Sequence, residues 1–162
     1  MHAAQKEALE EHFGVKDWHG RSESGRRVIK EFQFEGSELK GWKLIKVKHA
    51  EQEGAKVIRS MWSHGDNTSE VLSVDVFVCG SVKAAHEAVL EALGNMQSGA
   101  IERKKEKSTP GDVAFGLANT LIVFARGNVT VLVRNAGPTI APVGTIARDL
   151  DGQIQRRLES EK

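Results

Sequence analysis

The most constraining feature of this sequence is a pair of apolar runs joined by two turn residues. Leu121–Arg126 and residues 129–134 flank Gly127 and Asn128. Glycine at the first turn position suits a type II′ connection, whose twist matches that of the two strands. Both faces of this hairpin are apolar, so we predict that it lies centrally in a sheet and is covered on both sides. One face should carry Ile122, Phe124, Val131 and Val133, and the other Leu121, Val123 and Leu132.

The remaining periodicities fit one α+β domain spanning residues 1–162. Apolar residues at helical spacing predict helices at 3–13, after an N-cap at Ser81, and at 145–158. Because strands come in runs rather than alternating with helices, we predict a single antiparallel sheet of about six or seven strands, with two or three helices packed against it. Residues 1–27 are expected at the periphery as a helix and a loop. Besides the hairpin, we predict strands at 28–35, 42–49, 56–63, 72–78 and 113–117.

Composition narrows the function classes. The chain has 23 Lys and Arg against 22 Asp and Glu, a net charge of +1, which argues against an obligate nucleic-acid binder. One cysteine excludes an internal disulfide and a multi-cysteine zinc site. The chain lacks the run of about 18–20 apolar residues that a membrane-spanning helix needs. We therefore expect a soluble domain with no cofactor and no membrane span, and with an unidentified protein or small-molecule partner.

Two positions suggest catalytic or metal chemistry. Cys79 lies between a strand end and a helix N-terminus, where backbone amides can lower a thiol pKa, so it is a candidate nucleophile. The alternative is a small packed cysteine. The six histidines show no metal-ligand spacing, and His64-Gly65-Asp66 is the nearest approach to one. The alternative there is a turn whose aspartate accepts backbone N–H bonds.

The segment 21–48 interleaves basic and aromatic residues, a pattern typical of polyanion binding. On strict alternation, Lys46 and Lys48 share a face with Trp42, whereas Lys43 falls on the other face. The charges are therefore not predicted to form one stripe, and a solvated outer sheet face is the alternative. The basic residues are Arg21, Arg26, Arg27, Lys30, Lys40, Lys43, Lys46 and Lys48.

The second half of the chain resembles a layout found in small bacterial extracytoplasmic and lipoprotein-type domains. A helix at 81–93 is followed by a Gly111-Asp112 turn and an apolar hairpin tipped by Arg126-Gly127-Asn128. A closing helix then carries Asp149 and Asp151 within its segment 147–151. The resemblance implies an exported, non-enzymatic domain, such as the mature region of a bacterial protein. The start of the chain is polar and carries no signal peptide, so a cytoplasmic location is the alternative.

These observations favour a non-catalytic binding or protein-interaction module. Recognition is expected in loops 17–27, 63–69 and 136–144, because loops on a rigid scaffold commonly carry it. The alternatives are a small enzyme that uses Cys79 or a His64/Asp66 metal site, and a polyanion binder that uses segment 21–48. The expected contact residues are Trp18, Trp42, Trp62, His64 and Asp66.

Overall fold

A seven-stranded antiparallel sheet with three helices forms the described part of the chain. A computed structural model describes residues 3–15, 28–96 and 100–160. The strand order β1-β2-β3-β7-β6-β5-β4 confirms the predicted α+β class. The helices are α1 Ala3–Phe13, α2 Val82–Met96 and α3 Val143–Ser160. The strands are β1 Trp42–Gln52, β2 Ala55–His64, β3 Asn67–Val78, β4 Glu102–Arg103, β5 Val113–Leu117, β6 Leu121–Arg126 and β7 Val129–Asn135.

The predicted hairpin is confirmed as the central pair β6–β7. Phe124 faces Val131 across the two strands, which is the predicted register. Gly127 has a φ of 57°, the left-handed value that the first turn residue of a type II′ connection needs. Strands β5 and β3 pair with the outer edges of β6 and β7, so the hairpin lies inside the sheet. This central position explains why both of its faces are apolar.

The two faces of the sheet are covered by different elements. On what we call the α3 face, α3 and the segment 28–41 bury a core that extends from Trp62 on β2 to Ala114 on β5. On what we call the α2 face, α2 packs on β6 and β7, with α1 beside it, and the core lies mainly over β5, β6 and β7. The α2 face therefore keeps exposed side chains on β1 and β2, among them Lys46 and Met61.

The predicted strand at 28–35 is wrong. This segment has no strand pairing, yet Ile29, Phe32 and Phe34 are buried on the α3 face. Its backbone is held by the buried Asn128 side chain, whose Oδ1 accepts from the Ile29 N–H at 2.9 Å and whose Nδ2 donates to the Ile29 carbonyl at 2.7 Å. The sheet instead includes β4, Glu102–Arg103, a two-residue strand that pairs with β5 and that the sequence did not predict.

A β-bulge in β1 changes the predicted placement of the lysines. Leu44 pairs with Trp62 and Lys46 pairs with Met61, so Ile45 is an extra residue in the ladder. Because the bulge interrupts strict alternation, Lys43, Lys46 and Lys48 all lie on the α2 face. The prediction that they divide between two faces is wrong.

A cluster of charged side chains, which we call the closed cluster, ties three elements together on the α3 face. The Arg126 guanidinium donates to both carboxylate oxygens of Asp151 on α3, at 2.8 and 3.0 Å. Asp112 lies 3.5 Å from Arg126 and accepts the Gly127 N–H at 2.9 Å. The glycine-aspartate turn, the hairpin tip and the closing helix, which carried the resemblance noted above, thus meet at one point.

Helix α2 begins as predicted, since the Ala84 N–H donates to the Ser81 side-chain oxygen at 3.0 Å. Helix α1 contacts α2 through a 2.7 Å ion pair between Lys6 and Glu87.

Of the helices that the structure describes, none combines the length and the apolar character needed to cross a membrane.

Candidate functional site

A cleft of about 450 Å³ opens on the α2 face, where α2 leaves β2 and β3 uncovered. Its floor is formed by β2, β3 and β7, and the turn between β1 and β2, residues 52–55, lines it opposite α2. Pockets of about 300–1,000 Å³ are typical of sites for small organic ligands. The cleft is therefore our candidate functional site.

Three charged side chains lie on the cleft floor and form what we call the open cluster. The Asp75 carboxylate lies between Arg59 on β2 and Arg134 on β7, with nitrogen-to-oxygen distances of 3.8 and 3.6 Å. The Asp75 side chain is 8% exposed, whereas the Arg59 and Arg134 side chains are 50% and 49% exposed. The cleft thus has a buried carboxylate beneath two accessible guanidinium groups.

Strand register brings these three residues together. Arg59 pairs with Asp75 across β2 and β3, and Asp75 pairs with Leu132 on β7 two residues before Arg134. Burial raises the pKa of Asp75 above its ordinary value, and the positive charges of Arg134 and Arg59 offset only part of that rise. Ionised Asp75 therefore costs stability in the folded state.

The apolar lining of the cleft comes from small residues on α2 and larger ones on the floor. Ala84, Ala88 and Ala92 recur every four residues and so lie along one side of the helix. Phe77 and Leu132 provide apolar surface on the sheet below them. Because alanine carries only a methyl group, this side of α2 leaves space above the sheet.

Two glutamates line the cleft from its two walls. Glu53 lies in the β1–β2 turn and Glu91 lies on α2. Burial, together with the nearby charge of Glu53, raises the pKa of Glu91. A third lining acid, Glu87, is already paired with Lys6. The Glu53–Glu91 pair therefore supplies the lining carboxyl groups with which Lys6 makes no ion pair.

Cys79 also lines the cleft, but its surroundings do not favour a thiolate. Burial raises the pKa of Cys79 to about 11, and the thiol lies 3.8 Å from the Phe77 carbonyl oxygen, to which it donates. At neutral pH the side chain is a protonated thiol, which is a poor nucleophile. The proposed activation by the N-terminus of α2 is outweighed by desolvation.

The tryptophans are not placed as the sequence predicted. Trp62 is fully buried on the α3 face, where its ring meets Phe34 at 5.4 Å and its Nε1–H donates to the Ser60 oxygen at 2.9 Å. Trp42 is 8% exposed and also belongs to that core. Full burial makes Trp62 a core residue rather than a contact residue, so that prediction is wrong. Trp18 lies outside the described residues.

His64 and Asp66 lie at the β2–β3 turn, away from the cleft lining. The His64 Nδ1 is 2.7 Å from a Glu70 carboxylate oxygen, and its ring lies 4.9 Å from the Trp42 ring. Asp66 is exposed. Within residues 3–15, 28–96 and 100–160, no three His, Cys, Asp or Glu side chains gather closely enough to hold a metal ion. Metal binding at His64 and Asp66 stays a prediction.

Two of the three predicted recognition loops, 63–69 and 136–144, lie away from the cleft lining. Loop 63–69 is largely strand, and loop 136–144 packs beside it through the Thr139 N–H, which donates to the Ser69 carbonyl at 3.0 Å. Loop 17–27 lies outside the described residues, as do Arg21, Arg26 and Arg27 of the basic segment.

Sequence reasoning missed the open cluster, although one signal was present. Asp75 is a charged residue in the middle of the predicted strand 72–78, between Val74 and Val76. A carboxylate at such a position needs a partner or a function.

Comparisons with protein-family models, with curated proteins and with solved structures find no match to this chain.

Proposed function

We propose that this chain is a non-catalytic binding module whose ligand site is the cleft beside α2. The observation that carries the proposal is the open cluster on the floor of a 450 Å³ cleft. Two half-exposed guanidinium groups lie there next to apolar surface from Phe77 and Leu132. Sites for small molecules use a few polar groups in fixed positions to orient the ligand and apolar surface to bury it, and this cleft offers both kinds of surface.

Two further features support binding over catalysis by this site. The raised pKa of Cys79 leaves its thiol protonated at neutral pH, so the nearest nucleophile is not activated. Arg59 and Arg134 outnumber the carboxylate of Asp75, so the open cluster carries a net positive charge whether or not Asp75 is ionised. The first feature disfavours a cysteine nucleophile, and the second suits a site that recognises an anionic group.

The test uses an uncharged fluorescent probe, N-phenyl-1-naphthylamine, whose emission rises when it leaves water. We expect saturable binding to the native chain. Ala88→Leu places a larger side chain at the cleft wall and should weaken probe binding at least about tenfold, or about 1.4 kcal/mol.

The matched control is Ala8→Leu, because Ala8 is exposed on α1 and does not line the cleft. Both variants add the same side chain to a helix. Unchanged probe binding in Ala88→Leu, with both variants folded by circular dichroism, would reject the cleft as the ligand site.

A further inference from the structure

The open cluster leaves hydrogen-bond donors available for an anion. A guanidinium group has five N–H donors, and the distances of 3.6 and 3.8 Å to Asp75 exceed the usual hydrogen-bond length. Arg59 directs one Nη2 donor to Gln52 at 3.4 Å. Two guanidinium groups beside one carboxylate also leave a net positive charge. These are the features that bind a carboxylate group, whose two oxygens match the guanidinium fork.

The lysines of β1 strengthen this positive end. Lys48 pairs with Arg59 across β1 and β2, and Lys46 pairs with Met61 in the next position on the same face. Cross-strand partners lie about 4.5–5.5 Å apart between their Cβ atoms, so Lys48 adds its charge beside Arg59. An anion approaching from the β1 side meets a positive surface.

The Glu53–Glu91 pair provides the opposite charge within the same cleft. Glu53 and Glu91 line the cleft from opposite walls, and burial together with the nearby charge of Glu53 raises the pKa of Glu91, so Glu91 holds its proton more tightly than usual. An ammonium group has three donors and a positive charge, and it would satisfy both carboxylates in place of that proton. The pair lines the cleft together with the apolar side of α2.

We infer that the cleft takes a dipolar organic ligand, with a carboxylate bound by Arg59 and Arg134, an ammonium group bound by Glu53 and Glu91, and an apolar body between them. This inference rests on the proposed function and specifies the ligand class of the same site. Phe77, Leu132 and the alanines of α2 would contact the apolar body.

The experiment compares three probe series by isothermal titration calorimetry. The dipolar series consists of ω-aminoalkanoates from 4-aminobutanoate to 12-aminododecanoate, and alkanoates and alkylammonium ions of equal chain length carry one charge each. We expect one chain length of the dipolar series to bind at least about tenfold more tightly than both single-charged counterparts, since it engages both ends. The best length then measures the separation of the two charged ends.

Two double variants assign the ends. Arg59→Gln with Arg134→Gln should weaken alkanoates and ω-aminoalkanoates about tenfold and leave alkylammonium ions unchanged. Glu53→Gln with Glu91→Gln should weaken alkylammonium ions and ω-aminoalkanoates about tenfold and leave alkanoates unchanged. The control pair, Arg156→Gln with Asp149→Asn, changes exposed residues of α3 on the opposite side of the sheet and should alter none of the affinities.

The outcomes separate the two proposals. If the neutral probe binds in the cleft but the dipolar series has no advantage at any length, or if the double variants do not shift the affinities as stated, the dipolar ligand is rejected and the binding cleft stands. If neither the neutral probe nor any charged series binds, both proposals fail.

Discussion

The closed and open clusters have opposite ratios of basic to acidic groups, and they differ in how completely their charges are paired. In the closed cluster one guanidinium lies between two carboxylates, whereas in the open cluster one carboxylate lies between two guanidinium groups. Arg126 makes two hydrogen bonds of 2.8 and 3.0 Å to one partner, while the shortest ion pair of Asp75 is 3.6 Å long. The two clusters lie on opposite faces of the same sheet.

This difference separates a structural cluster from a candidate site. Arg126 is 24% exposed and its carboxylate partners are 16% and 11% exposed, so little of the closed cluster can reach a ligand. The excess charge of the open cluster is carried by side chains that are half exposed. Short distances and mutual burial indicate stabilisation, whereas longer distances and accessible donors indicate a group available for another partner.

The largest expected effect is in the closed cluster. Asp151→Ala removes the bidentate partner of Arg126 and leaves that guanidinium mostly buried, so the free energy of unfolding should fall by about 3 kcal/mol. Urea denaturation followed by tryptophan fluorescence measures the change. Asp149→Ala, at an exposed position on the same helix, should stay within about 0.5 kcal/mol of the parent. A loss below about 1 kcal/mol for Asp151→Ala would mean that the closed cluster is not a structural clamp.

A smaller effect of opposite sign is expected in the open cluster. The folded pKa of Asp75 is raised above its ordinary value, so protonated Asp75 stabilises the fold. This stabilisation is fully present at a pH below the ordinary pKa and is lost as the pH rises through the raised pKa. Asp75→Asn removes this loss, so the variant should be at least as stable as the parent at neutral pH. It should also show a weaker decline in melting temperature between pH 4 and 7. A clear drop in its melting temperature at pH 7 would show that ionised Asp75 stabilises the fold.

The smallest effect is expected at the accessible arginines. Arg134→Gln removes a half-exposed guanidinium from a long ion pair, and its free energy of unfolding should change by no more than about 0.5 kcal/mol. The same substitution at Arg126 tests the contrast between the clusters and should cost several times more. Equal losses in the two variants, measured by urea denaturation, would abolish the distinction between them.

Features set by local chemistry were predictable from the sequence. The β6–β7 hairpin, the Ser81 cap and the apolar stripe of α3 each depend on residues close together in the chain. The segment 28–35 failed for a different reason. Its apolar alternation predicts burial correctly. The same alternation fits either a paired strand or an irregular segment that crosses a sheet, and only the presence of a neighbouring strand distinguishes the two.

The candidate site was beyond sequence reasoning for geometric reasons. Arg59, Asp75 and Arg134 come from three strands, and their proximity depends on the order β2-β3-β7, which local patterns do not specify. The cleft also depends on where α2 lies across the sheet. Trp62 was misassigned because the residue type alone does not determine whether an aromatic ring belongs to a core or to a contact surface.

The bulge at Ile45 also changes the outer edge of the sheet. Strand β1 is an outer strand of the sheet, so one side of its 11-residue backbone has no strand partner within the described sheet. A long regular edge of this kind invites a second sheet to continue the ladder, which leads to aggregation. The extra residue twists the edge out of register, and the lysines beside it bring repulsive charge to any matching edge. One extra residue thus makes β1 a poorer template for edge-to-edge pairing.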